Sequence, residues 1–293
     1  YAVQKKAVQL TFHRCDGSTW QKTTLAKGSS YSLPGVRDAE GYTFMGWSTK
    51  PMQSVSPQYE AEEKITVNGN VDLYAVVFNR TTETDLTEDQ LPQVDIYKYK
   101  QVIFVGDSRT EFMENVLTGM GESATKNVKF VCSAGKGLDW FTTTGWAQLY
   151  SIVQHDSNSI LSKKTAVIFN FGVNDLSKSA DYAEYYNWIA PQLKSKGCEL
   201  YFMSVNPVNR LMLPNAGRAD RSEAAVRSFN QYMKANLSSA YTYIDMYSYL
   251  KSTGYSFASD HYGTGTVDDG LHYTTRTYKR IFAKCMDSLR VPA

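Results

Sequence analysis

From residue 100 onward the chain alternates short apolar runs with longer segments of helical spacing, and this alternation constrains the fold more than any other feature. Runs at 101–105, 128–132, 166–171, 199–205 and 241–246 read as strands. Segments 110–117, 181–195, 221–235 and 274–289 place apolar residues every three to four positions and read as helices. Strands that are apolar along their whole length are buried on both faces, so helices must cover both sides of a mainly parallel sheet. A three-layer α/β domain follows, and in such a sheet active sites gather beyond the carboxyl ends of the strands.

The first eighty residues lack the helical period. Residues 7–12, 31–33, 41–47 and 71–78 read as short strands, with turn chemistry at Pro34-Gly35 and Asn68-Gly69. A small β-rich domain is expected over 1–80. Residues 81–97 are polar and acidic, contain Pro92, and read as a linker. The α/β domain then occupies 98–293, and such a joint predicts that this part folds and works without the first domain.

Charge excludes some partners. Lys and Arg total 31, Asp and Glu total 29, and no basic block stands out, so nucleic acid is not an expected partner. No stretch approaches the roughly 18 apolar residues of a spanning helix, so no integral membrane segment is expected. Cys15, Cys132, Cys198 and Cys285 are widely spaced and fit no zinc or redox pattern. The histidines form no His-x-x-x-His pair, and neither metal nor cofactor is expected.

Several strand ends carry chemistry. Ser108 follows the first strand through Gly106-Asp107, where a helix start exposes a hydroxyl above the sheet and offers backbone N–H groups to an oxyanion. Asp and Ser are also ordinary helix caps, so this position alone fits either reading. In Phe171-Gly172-Val173-Asn174-Asp175, Asn174 supplies a neutral amide donor, and Asp175 reads as the N-cap of the segment after it. Gly135 and Gly137, after the second strand, offer a further backbone donor. Asp269-Gly270-Leu271-His272 lies between a Gly-rich loop over 262–270 and the last helix. On one helical turn, a spacing of three puts both side chains on one side. Asp269 then orients His272, and His272 takes the proton of Ser108. Arg109, Trp140, Phe141, Asn206 and Arg210 give the rim a polar and aromatic character suited to a sugar or other polar alcohol. Arg109, Trp140 and Asn206 are the candidate substrate contacts. No long apolar insertion is present to line a fatty-acyl tunnel.

Gly106-Asp107-Ser108, Gly172-Val173-Asn174-Asp175 and Asp269-Gly270-Leu271-His272 resemble the blocks of the SGNH, or GDSL, hydrolase superfamily over about residues 98–293. The resemblance implies a flavodoxin-like α/β/α sandwich with five parallel strands. It makes Ser108 the nucleophile and first oxyanion N–H, Asn174 an oxyanion donor, and Asp269 and His272 the rest of the triad. The second block of the family, Asn-x-Gly-x-x-Gly, is altered here to Cys132-Ser133-Ala134-Gly135-Lys136-Gly137. Its final glycine assigns the oxyanion hole to Gly137, with Gly135 the alternative.

In the first domain, Gly41-Tyr42-Thr43-Phe44-Met45-Gly46-Trp47-Ser48 with Leu73-Tyr74-Ala75-Val76 is similar to the β-grasp-like Listeria–Bacteroides, or internalin-type, repeat, over about 5–79. Members occur in exported, cell-wall-associated proteins of Gram-positive bacteria. That implies a spacer or adhesive role and an extracellular or cell-surface location; Trp47 reads as the anchor of a tiny core, with a ligand platform the alternative. Together the two resemblances imply a serine esterase acting on a short acyl group, foremost acetyl, carried by a carbohydrate or cell-wall glycan. The alternatives are an O-acyltransferase acting on a glycan and a non-catalytic glycan-binding module.

Overall fold

The computed structural model describes residues 6–156, 163–262 and 265–289. By compactness the chain forms two units, each assembled from three stretches. The first comprises Tyr1–Glu83, Pro207–Ala224 and Ser248–Leu271; the second comprises Thr84–Asn206, Ala225–Tyr247 and His272–Ala293.

The first unit opens with β1 (Ala7–His13), β2 (Thr19–Ala26), β3 (Ser29–Ser32), β4 (Tyr42–Ser48), β5 (Lys64–Val67) and β6 (Val71–Asn79). A mixed sheet runs β2-β1-β6-β4, with β1 parallel to β6 and the outer pairs antiparallel. β3 and β5 form a separate antiparallel pair. Val8, Leu10 and Phe12 alternate along β1 and turn inward, as a half-buried strand requires. Trp47 is fully buried against Phe12 and Phe44, with ring centroids at 4.8 and 5.4 Å, and its Nε1 donates to the Pro34 carbonyl at 2.9 Å. The indole is therefore a core anchor whose polar atom is satisfied.

The second unit carries the α/β architecture; residues 248–271 of the elements that follow belong to the first unit. In chain order the remaining elements are β7 (Tyr99–Gly106), α1 (Ser108–Met120), β8 (Val128–Cys132), α2 (Leu138–Trp140), α3 (Trp146–Asp156), β9 (Lys164–Asn170), α4 (Ser179–Ser195), β10 (Cys198–Met203), α5 (Glu223–Asn236), β11 (Tyr241–Ile244), α6 (Met246–Thr253), β12 (Phe257–Tyr262), β13 (Gly265–Tyr273) and α7 (Thr275–Ser288). A π-helical turn, Phe141–Gly145, joins α2 to α3. The parallel sheet runs β11-β10-β9-β7-β8, the flavodoxin-like order. Val105 of β7 pairs with Phe169 of β9, so Phe104 and Phe169 lie on opposite faces. Phe104 meets Phe282 of α7 at 5.7 Å, and Phe169 meets Tyr186 of α4 at 4.8 Å. Helices thus cover both faces. The strand order reverses between β7 and β9, and the crevice of such a sheet opens at their carboxyl ends.

The expected loop over 262–270 is largely strand: β12 and β13 form a two-stranded pair, while Gly263 and Thr264 lie outside the described residues.

The late stretches of the first unit join its β core through buried polar contacts. The Lys251 ammonium, almost wholly buried, meets Glu60 at 2.9 Å, Glu223 at 3.0 Å and the Met45 carbonyl at 2.9 Å. Asp38 accepts from the Phe44 N–H at 2.9 Å, Asn209 Nδ2 at 2.8 Å and Arg80 Nη2 at 2.7 Å. Burial nevertheless pushes its carboxyl up to about 6, because desolvation outweighs these three partners. A carboxyl raised in the fold stabilises it at pH values below its ordinary 3.8, and that contribution is lost as pH rises through about 6. The first unit should therefore resist denaturant better at pH 5 than at pH 8, by about 1.4 kcal/mol from this group. Denaturant-dependent hydrogen exchange at Phe44, in wild type and Asp38→Asn, measures it; the variant should lose most of the pH difference.

Candidate active site

Ser108 is the first residue of α1, directly beyond β7. The Asp107 carboxylate caps the helix by accepting the Arg109 N–H at 3.0 Å, which fixes the strand-to-helix turn. First-turn amides have no intrahelical partner, so the helix start is a natural seat for a negative oxygen. His272 Nε2 lies 2.9 Å from Ser108 Oγ although the two residues are 164 positions apart. Both side chains are buried, at 5% and 4% exposure. Partial burial strengthens such a bond and keeps water from competing for it.

Phe112, one helical turn after Ser108, presents its ring 4.5 Å from the His272 imidazole and remains 43% exposed. Sequence reasoning passed over it. The available signal was its i+4 spacing from Ser108, which puts the two on one helix face.

The turns after β8 and β9 are tied to each other. Asn174 Nδ2 donates to the Lys136 carbonyl at 2.8 Å. Asp175, expected to cap the segment after it, caps another helix instead. Its carboxylate accepts the Leu138 N–H at 2.9 Å and the Tyr182 hydroxyl at 2.7 Å. The short helix α2 starts beside it and brings unpaired amides to that carboxylate, while the Asp175 side chain makes no cap bond to its own helix. A Cβ at Gly137 would stand 2.4 Å from Asp175 Oδ2, so a side chain there would displace the carboxylate that caps α2. Around Gly135 the space is open, but its φ of +70° is a left-handed backbone that favours glycine as well.

The candidate substrate contacts differ in setting. Arg109 is 2% exposed; its Nη1 donates to the Asn206 carbonyl at 3.0 Å, and its guanidinium lies 5.2 Å from the Tyr273 ring centre. These contacts bind α1 to the exit of β10. Asn206 is also buried, and its Nδ2 and Oδ1 have no hydrogen-bond partner among the described residues. Trp140 is half-buried, 6.1 Å from Phe171. Phe141 is core rather than rim, fully buried against Phe169 and Phe171. Arg210, in the first unit, pairs with Asp220 at 2.6 Å and Glu62 at 3.4 Å.

Asp269 stands three positions before His272 on β13, not on a helical turn. The helix starts only at Thr275, behind the Thr274 cap, so the expected helical pairing does not apply. In a regular strand, residues three apart face opposite sides. Gly270, with φ +66°, breaks that regularity between them. The Asp269 carboxylate is buried, accepts the Leu271 N–H at 2.8 Å and lies 3.5 Å from Arg218 Nη2. Among the described residues no cluster of three metal-ligating side chains occurs, and no helix is long and apolar enough to cross a membrane.

A five-stranded flavodoxin-like sheet with a serine–histidine pair beyond its first strand defines a class of α/β hydrolytic domain. The family model of GDSL-like lipases and acylhydrolases matches residues 102–285, and the chain belongs to that family. The Listeria–Bacteroides repeat domain matches residues 9–76. No curated protein matches the chain. Similar solved structures include a Bacteroides fragilis protein assigned as an acylhydrolase (16% identity, 69% of this chain and 92% of that one, TM-score 0.45). Another is an acetyl xylan esterase (11%, 64% and 99%, 0.42). A third is the C-terminal catalytic domain of Streptococcus pneumoniae peptidoglycan O-acetyltransferase A (15%, 66% and 94%, 0.40).

Proposed function

We propose that the protein is a serine esterase that removes short acyl groups, acetyl foremost, from a polar alcohol of a carbohydrate or cell-wall glycan. The observation that carries the chemistry is the 2.9 Å bond between Ser108 Oγ and His272 Nε2 at the helix start. His272 takes the hydroxyl proton as Ser108 attacks the ester carbonyl. The N–H groups of Ser108 and Gly137 and the Asn174 amide stabilise the tetrahedral oxyanion. The tie between Asn174 and the Lys136 carbonyl, which belongs to the same peptide group as the Gly137 N–H, supports Gly137 over Gly135 in this role. His272 then protonates the leaving alcohol, and water releases the acyl group. Asp269 holds the imidazole tautomer and stabilises its charged form. Arg109 supports the site from beneath, Trp140 and the unpartnered Asn206 amide serve the alcohol, and Phe112 walls the imidazole.

The repeat motivates an exported, surface-associated enzyme that meets glycan outside the cell. The half-exposed Phe112 gives an acyl chain one apolar wall, not a tunnel. Short esters should therefore outrun long ones. With one shared leaving group and submicellar concentrations, acetyl or propionyl esters should exceed octanoyl in kcat/KM. A buried tunnel would instead add about 0.8 kcal/mol per methylene, and a kcat/KM climbing to eight carbons overturns the carbohydrate reading. Product masses from acetylated glycans separate the outcomes: free acetate marks the esterase, acetate moved to a sugar hydroxyl marks a transferase, and no turnover marks a binding module.

A further inference from the structure

The residues on either side of the acid proposed to orient His272 are tied to the N-terminal repeat, Asp268 by Arg80 and Gly270 through Asn209. We propose that Arg80, at the exit of β6, is a positioning residue for catalysis, and that through it the repeat fixes the turn that carries Asp269. The inference rests on the assignment of Asp269 as the triad acid.

Arg80 reaches in three directions. Its Nε donates to Thr43 Oγ1 at 2.9 Å, its Nη2 to Asp38 at 2.7 Å, and its Nη1 to Asp268 at 2.6 Å. Its backbone N–H is fixed on the Gly41 carbonyl at 2.9 Å. The guanidinium thus joins two carboxylates, one inside the repeat and one immediately before Asp269. A planar fork can serve both at once, whereas a lysine ammonium is a single point on a flexible stem.

The residue after Asp269 is held as firmly. The Gly270 carbonyl accepts the Asn209 N–H at 2.9 Å, and the Asn209 side chain donates in turn to Asp38 and to the Val36 carbonyl. Gly270 adopts φ +66°, and a Cβ there would meet the Asn209 carbonyl oxygen at 2.5 Å and Met212 Cβ at 2.8 Å. Asp268 and Gly270 are therefore both referred back to Asp38, one through Arg80 and one through Asn209. Between them, Asp269 has little freedom to move. A displacement on the order of 1 Å in a catalytic group can lower a rate by about 10²-fold, so this bracing bears directly on turnover. A spacer or adhesive module has no need of it.

The test uses the full chain with Arg80→Gln, Arg80→Lys and Asp268→Asn, each also built on Asp269→Asn. On the wild-type background each should lower kcat at least about tenfold and leave KM within about twofold. On the Asp269→Asn background the same substitutions should change kcat by less than about twofold. Wild-type kcat, or an undiminished tenfold loss without Asp269, overturns the proposal. Asp268→Asn removes one arm alone and decides the matter if Arg80→Gln does not fold. Hydrogen exchange at the Leu271 amide, which donates to Asp269, gives an activity-free readout and should accelerate in every variant. Unchanged exchange overturns the bracing even if Ser108 proves to be the nucleophile. Faster exchange, together with ester turnover indifferent to Ser108→Ala, overturns the reading of the site and leaves the bracing standing.

Discussion

Ser108→Ala should lower ester turnover by roughly 10³-fold or more while the folding transition stays within a few degrees of wild type. The hydroxyl is the only atom removed. It makes a 2.9 Å bond to His272 at a helix start whose cap, Asp107, is untouched by the change. What survives is the binding and oxyanion contribution alone. His272→Ala should lose a similar factor, and the double variant should be no worse than either single one, since residues that act as a unit are grossly non-additive. Purified variants, an aryl acetate assay and a thermal melt measure all three. Near wild-type turnover by Ser108→Ala sinks the assignment.

Removing residues 1–97, which leaves the fragment from Lys98 onward, should cost more than tenfold in kcat/KM, about 1.4 kcal/mol of transition-state stabilisation. The acidic joint by itself led to the opposite expectation, a self-sufficient domain. The structure supplies the reason for the change. Truncation takes Glu60 and the Met45 carbonyl from the buried Lys251 ammonium, and takes Arg80 from Asp268. Stripping partners from a buried charge destabilises by about 3–5 kcal/mol. The shortened chain should also show a lower melting temperature and faster exchange over 248–262. A fragment with full activity and unchanged exchange refutes this.

The parallel sheet was legible because its strands are apolar throughout, a pattern that few other environments produce. The positions of Ser108 at a strand exit and of Asn174 in the turn after a strand were legible from their neighbours in the sequence, while the 2.9 Å approach of His272 to Ser108 is given by the structure. β2 and β5 were not, since their exposed polar residues show no clean alternation. β13 was misread because the spacing of Asp269 and His272 suits a helix, and only the left-handed backbone at Gly270 removes that inference. Phe112 was hidden by its ordinariness: an aromatic residue on a helix is usually core, and its i+4 spacing from Ser108 does not by itself tell that it flanks an imidazole. Least visible was the bracing of 268–270, because Asp38, Arg80 and Asn209 belong to stretches with no motif in common.

The make-up of the first unit also sets an order of events at the ribosome. Arg80 leaves the exit tunnel with the repeat, but its partner Asp268 is polymerised about 190 residues later. At about 5–20 residues per second, the wait is roughly 10–40 s. During that interval the repeat has its aromatic core around Trp47 but lacks Asn209, Lys251 and Asp268. The nascent chain must then survive with the Asp38 carboxylate short of Asn209 and with incomplete surfaces on β4 and β6. Translation stalled between about residues 90 and 200 should leave a protease-sensitive product, and full protection should come only after residue 271 has emerged.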